Sequence, residues 1–201
     1  MDIDALLAAR LRTLRKAQGH TLDQLAQRSG VSRSAISLIE RGEISPTAAV
    51  LGKLAAALGL PLAALFDMAP ASTAPSPLAR HAAQPCWQDP ASGYLRRHLT
   101  PAGHGGRLEL TEVVFPAGQS VTFDNAMHTS DAPQQQLWLL EGQMTLTVGT
   151  QCWQLQPGDC LAMAVNQPIV FANPSSTPAR YVLALSSATS STSPSFTPTP
   201  S

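Results

Sequence analysis

The stretch TLDQLAQRSGVSRSAISLIERG, residues 21–42, leaves this chain few ways to fold. Thr21 and Gln24 stand at capping-box spacing, where hydroxyl and side-chain amide each satisfy an orphan backbone amide at a helix start. Gly30 can take the left-handed conformation that stops the helix, and Ser32 can cap the next one after only a short turn. Leu25, Ala26, Val31, Ile36 and Ile39 fall where they can point inward, and the small Ala26 lets the two helices cross closely. Arg33, Ser34, Ser37, Leu38 and Arg41 are left on the outer side of the second helix. A solvated surface helix needs only a polar face, whereas this small, partly basic face is suited to being pressed against something.

The rest of the chain divides by texture. Ser45 followed by Pro46 predicts another helix start, with proline at the first helical position. Gly59 and Pro61 predict its end, giving four helices between residues 3 and 58 and a brief fifth at 62–66. The run DMAPASTAPSPLAR (67–80) has the Pro, Ala, Ser and Thr content of a flexible linker. Short alternating runs follow: LELTEVVF (108–115), QQLWLLE (135–141), MTLTVG (144–149), CWQLQ (152–156) and RYVLALS (180–186). Short strands with regular turns imply a sandwich or barrel. The tail SSATSSTSPSFTPTPS (186–201) cannot bury a core. The organisation read from the residues is a helical head at 1–66, a linker at 67–85, a β body at 86–186 and a disordered tail at 187–201.

The chain's formal net charge is zero, but residues 1–66 carry eight Lys/Arg against five Asp/Glu, and the remainder carries the reverse. A basic head on a faintly acidic body points to a polyanion met by the head alone. Cys86, Cys152 and Cys160 show no paired spacing and read as buried reduced thiols. The start MDIDALLAAR lacks the positive charge of a secretory signal, and no apolar run is long enough to span a membrane. The expected location is cytoplasmic, with no membrane partner. His98 and His104 read as surface residues. Arg96 and Arg97 read as exposed strand residues, ahead of an effector-anion contact or a dimer contact.

Residues 21–60, with small Ala26, turn Gly30, branched Ile36 and the terminal Ile-Glu-Arg-Gly, resemble the phage-repressor (Cro/Xre) class of helix-turn-helix domains over about residues 5–66. The resemblance implies a five-helix, lambda-repressor-like head that binds double-stranded DNA. It places Arg33, Ser34 and Ser37 at base edges or phosphates, with Leu38 offering apolar contact. Arg41 and the amide opening the second helix would grip phosphates, and Thr21 and Ser32 at the helix starts belong to the same DNA-binding set. Similar domains often carry Gln after the capping residue as a phosphate contact, but this chain has Leu22. Arg15 and Glu40 match a structural ion pair of the class. Arg10, Arg12 and Lys16 read equally as phosphate contacts or a solvated face.

Leu-Glu-Gly at 140–142, Gln-Pro-Gly-Asp at 156–159 and Asn173-Pro174 resemble the cupin fold, a small jelly-roll β-barrel. A Cro-type head, proline-rich linker and cupin body also resembles a common bacterial regulator layout. Many cupins hold a metal through two histidines, a glutamate and a later histidine. The matching positions here are His128, Ser130, Gln135 and Ile169, a set unable to hold one, so no metal or other cofactor is expected. A metal-free interior lined by His128, Gln135, Leu137, Met144, Met163, Ile169 and Phe171 could take a small organic effector or simply fill the core. The resulting expectation is a dimeric, sequence-specific transcriptional regulator without catalytic residues, nucleoid-associated when bound to DNA, whose barrel senses a small molecule, mediates dimerisation, or both. The alternatives are a metal-dependent cupin enzyme tethered to DNA and a protein-interaction module whose head does not bind DNA.

Overall fold

The computed structural model describes residues 3–60, 62–66, 76–104, 108–125 and 134–186. The head opens with α1 (Ile3–Ala17), α2 (Leu22–Ser29), α3 (Arg33–Glu40) and α4 (Ala48–Ala57). Thr21 accepts from the Gln24 amide and the Gln24 side chain accepts from the Thr21 amide, so the capping box is complete. Gly30 ends α2 at φ 67, and Ser32 starts α3 by accepting from the Ala35 amide. Leu7, Leu11, Leu25, Ile36, Leu51 and Leu54 are fully buried where these helices meet.

Two details of the head differ from the sequence expectation. Thr47 rather than Ser45 caps α4, accepting from the Val50 amide. The Ser45 hydroxyl is engaged elsewhere, donating to Asp4 of α1 at 2.9 Å. The expected fifth helix is a single 3-10 turn, Leu62–Leu65, so the described head has four α-helices. Four residues are too few to build an α-helical ladder, and a tighter i→i+3 turn is the usual outcome.

The body contains β1 (Cys86–Gln88), β2 (Leu95–His98), β3 (Leu108–Phe115), β4 (Ser120–Phe123) and β5 (Gln134–Glu141). It continues with β6 (Met144–Val148), β7 (Gln151–Leu155), β8 (Cys160–Ala164), β9 (Ile169–Ala172) and β10 (Ala179–Ser186). One sheet runs β1-β2-β3-β10-β5-β8 and the other β4-β9-β6-β7. All their pairings are antiparallel. Strands β3 to β10 are shared between the two sheets, four in each, as β3-β10-β5-β8 and β4-β9-β6-β7, the order of a double-sheet jelly roll, the architecture that cupins share. In β10, Ala179, Tyr181, Leu183 and Leu185 face the interior on the period of two expected of a half-buried strand.

The head is docked on the barrel. The Ala48 amide of α4 donates to Asp89 after β1, at 2.9 Å. Phe123 of β4 packs against Gly52 of α4 so closely that an added Cβ would lie 3.0 Å from its ring. Phe66, just after the 3-10 turn, meets Trp87 with ring centroids 5.6 Å apart. Head and barrel therefore meet directly through these contacts. Of the linker, 67–75 lies outside the described residues, as does the tail from 187 on; the 3-10 turn His81–Ala83 leads toward β1.

Burial corrects two further expectations. β2 lies between β1 and β3, so alternate residues Arg96 and His98 face inward and are buried rather than exposed. Cys152 and Cys160 are exposed rather than buried, because they stand on outer strands β7 and β8 with their side chains on the solvent face.

Candidate nucleic-acid interface

The α3 face follows from the cap at Ser32 and the inward anchors Ile36 and Ile39. With those two buried, Ser32, Arg33, Ser34 and Arg41 are exposed, while Ser37 and Leu38 are half-buried. Arg33 sits 3.1 Å from an Asp23 oxygen in α2. Arg41 donates to the Ser37 hydroxyl at 2.8 Å and to both carboxylate oxygens of Glu43. That guanidinium holds the Glu43 carboxyl below its ordinary pKa. The Ser32 and Ser34 hydroxyls lie 3.2 Å apart. Thr21 is exposed beside the start of α2, where its hydroxyl is already committed to the cap.

Arg15 and Glu40 form the frame beneath this face. Arg15 donates from Nε and one terminal nitrogen to the two Glu40 oxygens at 2.6 and 2.7 Å, and from the other nitrogen to the His20 carbonyl at 2.8 Å. Their side chains are 10% and 6% exposed, and the Glu40 hydrogen bonds raise the Arg15 pKa further. The pair ties α1 to the end of α3. Arg10 also serves the fold, donating to the Ala64 carbonyl of the 3-10 turn at 3.2 Å. Arg12 and Lys16 are exposed.

A helix-turn-helix family model matches residues 11–65, which include this whole face. The uncharacterized HTH-type transcriptional regulator y4dJ of Sinorhizobium fredii is 38% identical over 60 residues, covering 30% of this chain and 78% of that one. The chain belongs to the helix-turn-helix transcriptional regulators. Among these regulators, SutR of Escherichia coli is 41% identical over 75 residues, 37% of this chain and 42% of SutR, so the chain matches less than half of that relative's length. Over nearly the whole chain it is similar to the crystal structure of an HTH_3 family transcriptional regulator from Vibrio cholerae, with TM-score 0.70 and 27% identity across 92% of this chain and 96% of that one.

The regulator's barrel encloses a cavity of about 60 Å³. Gln135, Ile169 and Phe171 line it, whereas Leu137, Met144 and Met163, expected in the lining, are buried core residues outside it. His128 and Ser130 lie outside the described residues. Gln135 and Ile169, at two of the positions where cupins carry metal ligands, supply no suitable donor. No group of three His, Cys, Asp or Glu suited to a metal occurs among the described residues. The cavity also draws on Tyr94, Thr111 and Tyr181, which the sequence reading missed, and on Arg96, for which an effector contact ranked behind an exposed strand position. Their signal was present: in YLRRH, residues 94, 96 and 98 alternate as one face of a strand.

Proposed function

We propose that the regulator binds duplex DNA as a homodimer, each α3 entering a major groove at half-sites about one helical turn apart. In this reading Arg33 forks to a guanine, Ser34 and Ser37 reach base edges or phosphates, Leu38 touches a thymine methyl, and Arg41, Thr21 and Ser32 track the backbone. The supporting observation is that docking uses α4 and Phe66 after the 3-10 turn, while Ser32, Arg33, Ser34 and Arg41 remain exposed. The domain limits 1–66, 67–85, 86–186 and 187–201 belong to the same proposal. So does a role in the cytoplasm at the nucleoid; among the described residues no helix is long and apolar enough to cross a membrane.

The barrel in this reading is a non-catalytic module for effector binding, pairing, or both, which the chemistry of Gln135 and Ile169 favours over a metal enzyme. Selection of bound duplexes from a random pool tests the proposal. The expected result is one enriched motif repeated at a spacing near a helical turn, with affinity falling steeply as salt rises. Failure to enrich a motif, with salt-independent binding, would favour a protein-interaction module.

A further inference from the structure

Arg96 extends from β2 into the jelly roll and is 7% exposed. One terminal nitrogen donates to the Thr111 hydroxyl at 3.1 Å, while Nε has no hydrogen-bond partner among the described residues. Its guanidinium carbon lies 5.3 Å from the Phe66 ring centroid. Burial lowers its pKa, yet arginine does not deprotonate in proteins, so a full charge remains inside the barrel. Buried charges are costly unless they are paired and hydrogen-bonded, and a π face and one hydroxyl satisfy this one incompletely.

Its surroundings narrow what could complete it. Tyr94 and Tyr181 line the same cavity, and burial raises both phenol pKa values, keeping them as neutral donors. Glu109 also lines the cavity, and its charge favours the protonated guanidinium of Arg96. The remaining wall is largely apolar, including Val113, Ile169, Phe171 and Leu183. A planar anion with a hydrocarbon tail fits such a lining better than a multiply charged oxyanion, because Arg96 is the single cation among the described lining residues.

The same guanidinium connects the barrel to the head. Phe66 follows the 3-10 turn of the head, and Leu62 of that turn lines the cavity. We propose that the barrel binds a small organic carboxylate through Arg96, and that this ligand weakens head docking by drawing the guanidinium from Phe66 and taking space from Leu62. The proposal rests on the reading of the barrel as an effector module; it does not require that the head bind DNA. A ligand shifts docking only by binding the two arrangements unequally, and competition with Phe66 and Leu62 supplies that difference.

The test uses the full chain, with butyrate and benzoate as probes and butylamine as the cationic control. Titration calorimetry should show binding of at least one acid and none of the amine, with Arg96→Gln weakening it by about tenfold or more. Phe66→Leu removes the competitor and should tighten acid binding several-fold, a readout that stands if Arg96→Gln fails to fold. Hydrogen exchange at the Ala48 amide should accelerate on binding. If neither acid binds, if butylamine binds equally, or if folded Arg96→Gln binds unchanged, the anion site is overturned. Unchanged exchange at Ala48 or unchanged affinity in Phe66→Leu overturns the coupling. Duplex affinity, measured in parallel without ligand, reports separately on the DNA-binding reading.

Discussion

Asp89, in the loop after β1, accepts a hydrogen bond from the backbone amide of Ala48, the first residue of α4, at 2.9 Å in a buried setting. The Ala48 amide is one of the orphan donors at the helix start, and Thr47 satisfies only that of Val50. A barrel carboxylate thus completes the cap of a head helix and complements its dipole. The other Asp89 oxygen accepts from the Ser92 amide and hydroxyl, which fixes the carboxylate in place. Sequence-separated groups share one local job, so head and barrel stabilise each other.

Asp89→Ala should therefore destabilise the whole chain by about 1–3 kcal/mol, since buried amides lose their acceptor. Asp89→Asn retains one acceptor oxygen and should recover part of the loss. Denaturant unfolding checks the magnitude, and faster exchange at the Ala48 amide would locate it at the junction.

On the α3 face proposed to meet DNA, Arg33 and Arg41 both rest on carboxylates of their own chain. The Arg33–Asp23 pair is 62% and 75% exposed, and exposed pairs are weak, so the proposed DNA contact would release Arg33 at small cost. Arg33→Ala should relax base preference and cost roughly 1–3 kcal/mol on the selected site, whereas Arg41→Ala should weaken all duplexes alike and reduce the salt slope by about one. In the proposed DNA-binding arrangement Asp23→Ala removes a negative charge beside Arg33 and should tighten binding to every duplex. Competition binding over a salt series distinguishes the three variants.

The helical head was legible because its rules are local. Thr21, Gln24, Gly30 and Ser32 specify caps and a stop within a few residues of where they act. The strand β3 was likewise readable from alternation in LELTEVVF, and its limits coincide with the expected run. Arg96 and His98 were misread because an isolated polar pair looks solvated until β1 and β3 flank the strand. Head docking was invisible for a related reason: Asp89, Phe123 and Phe66 carry no local mark of the partner that each meets. Exposed Cys152 and Cys160 depend on which strands end the sheets, a property of topology rather than composition.

The Arg15–Glu40 pair yields a third prediction. Removing one partner strands a mostly buried charge, so Glu40→Ala should cost about 3–5 kcal/mol. Arg15→Met in the same background removes the stranded charge, and the double variant should be more stable than Glu40→Ala alone. A double-mutant cycle by denaturant unfolding measures that coupling.

Gly142 tests the turn after β5, where the Leu-Glu-Gly resemblance to cupins ends. Its φ is 79, and an added Cβ would lie 2.6 Å from the Pro178 carbonyl oxygen and 2.7 Å from the Ala179 Cα. Both are backbone atoms at the start of β10, which pairs with β5 and β3, so neither can move without shifting the central strand of the sheet. Gly158 is the control: its φ is 97 but an added Cβ meets nothing within 4 Å. Gly158→Ala should cost only the left-handed backbone penalty, about 1–2 kcal/mol. Gly142→Ala carries that penalty and the overlap together, and should be clearly the less stable of the two in denaturant unfolding. Equal losses would mean that close packing against Pro178 contributes nothing, and that the glycine there answers only to its backbone angle.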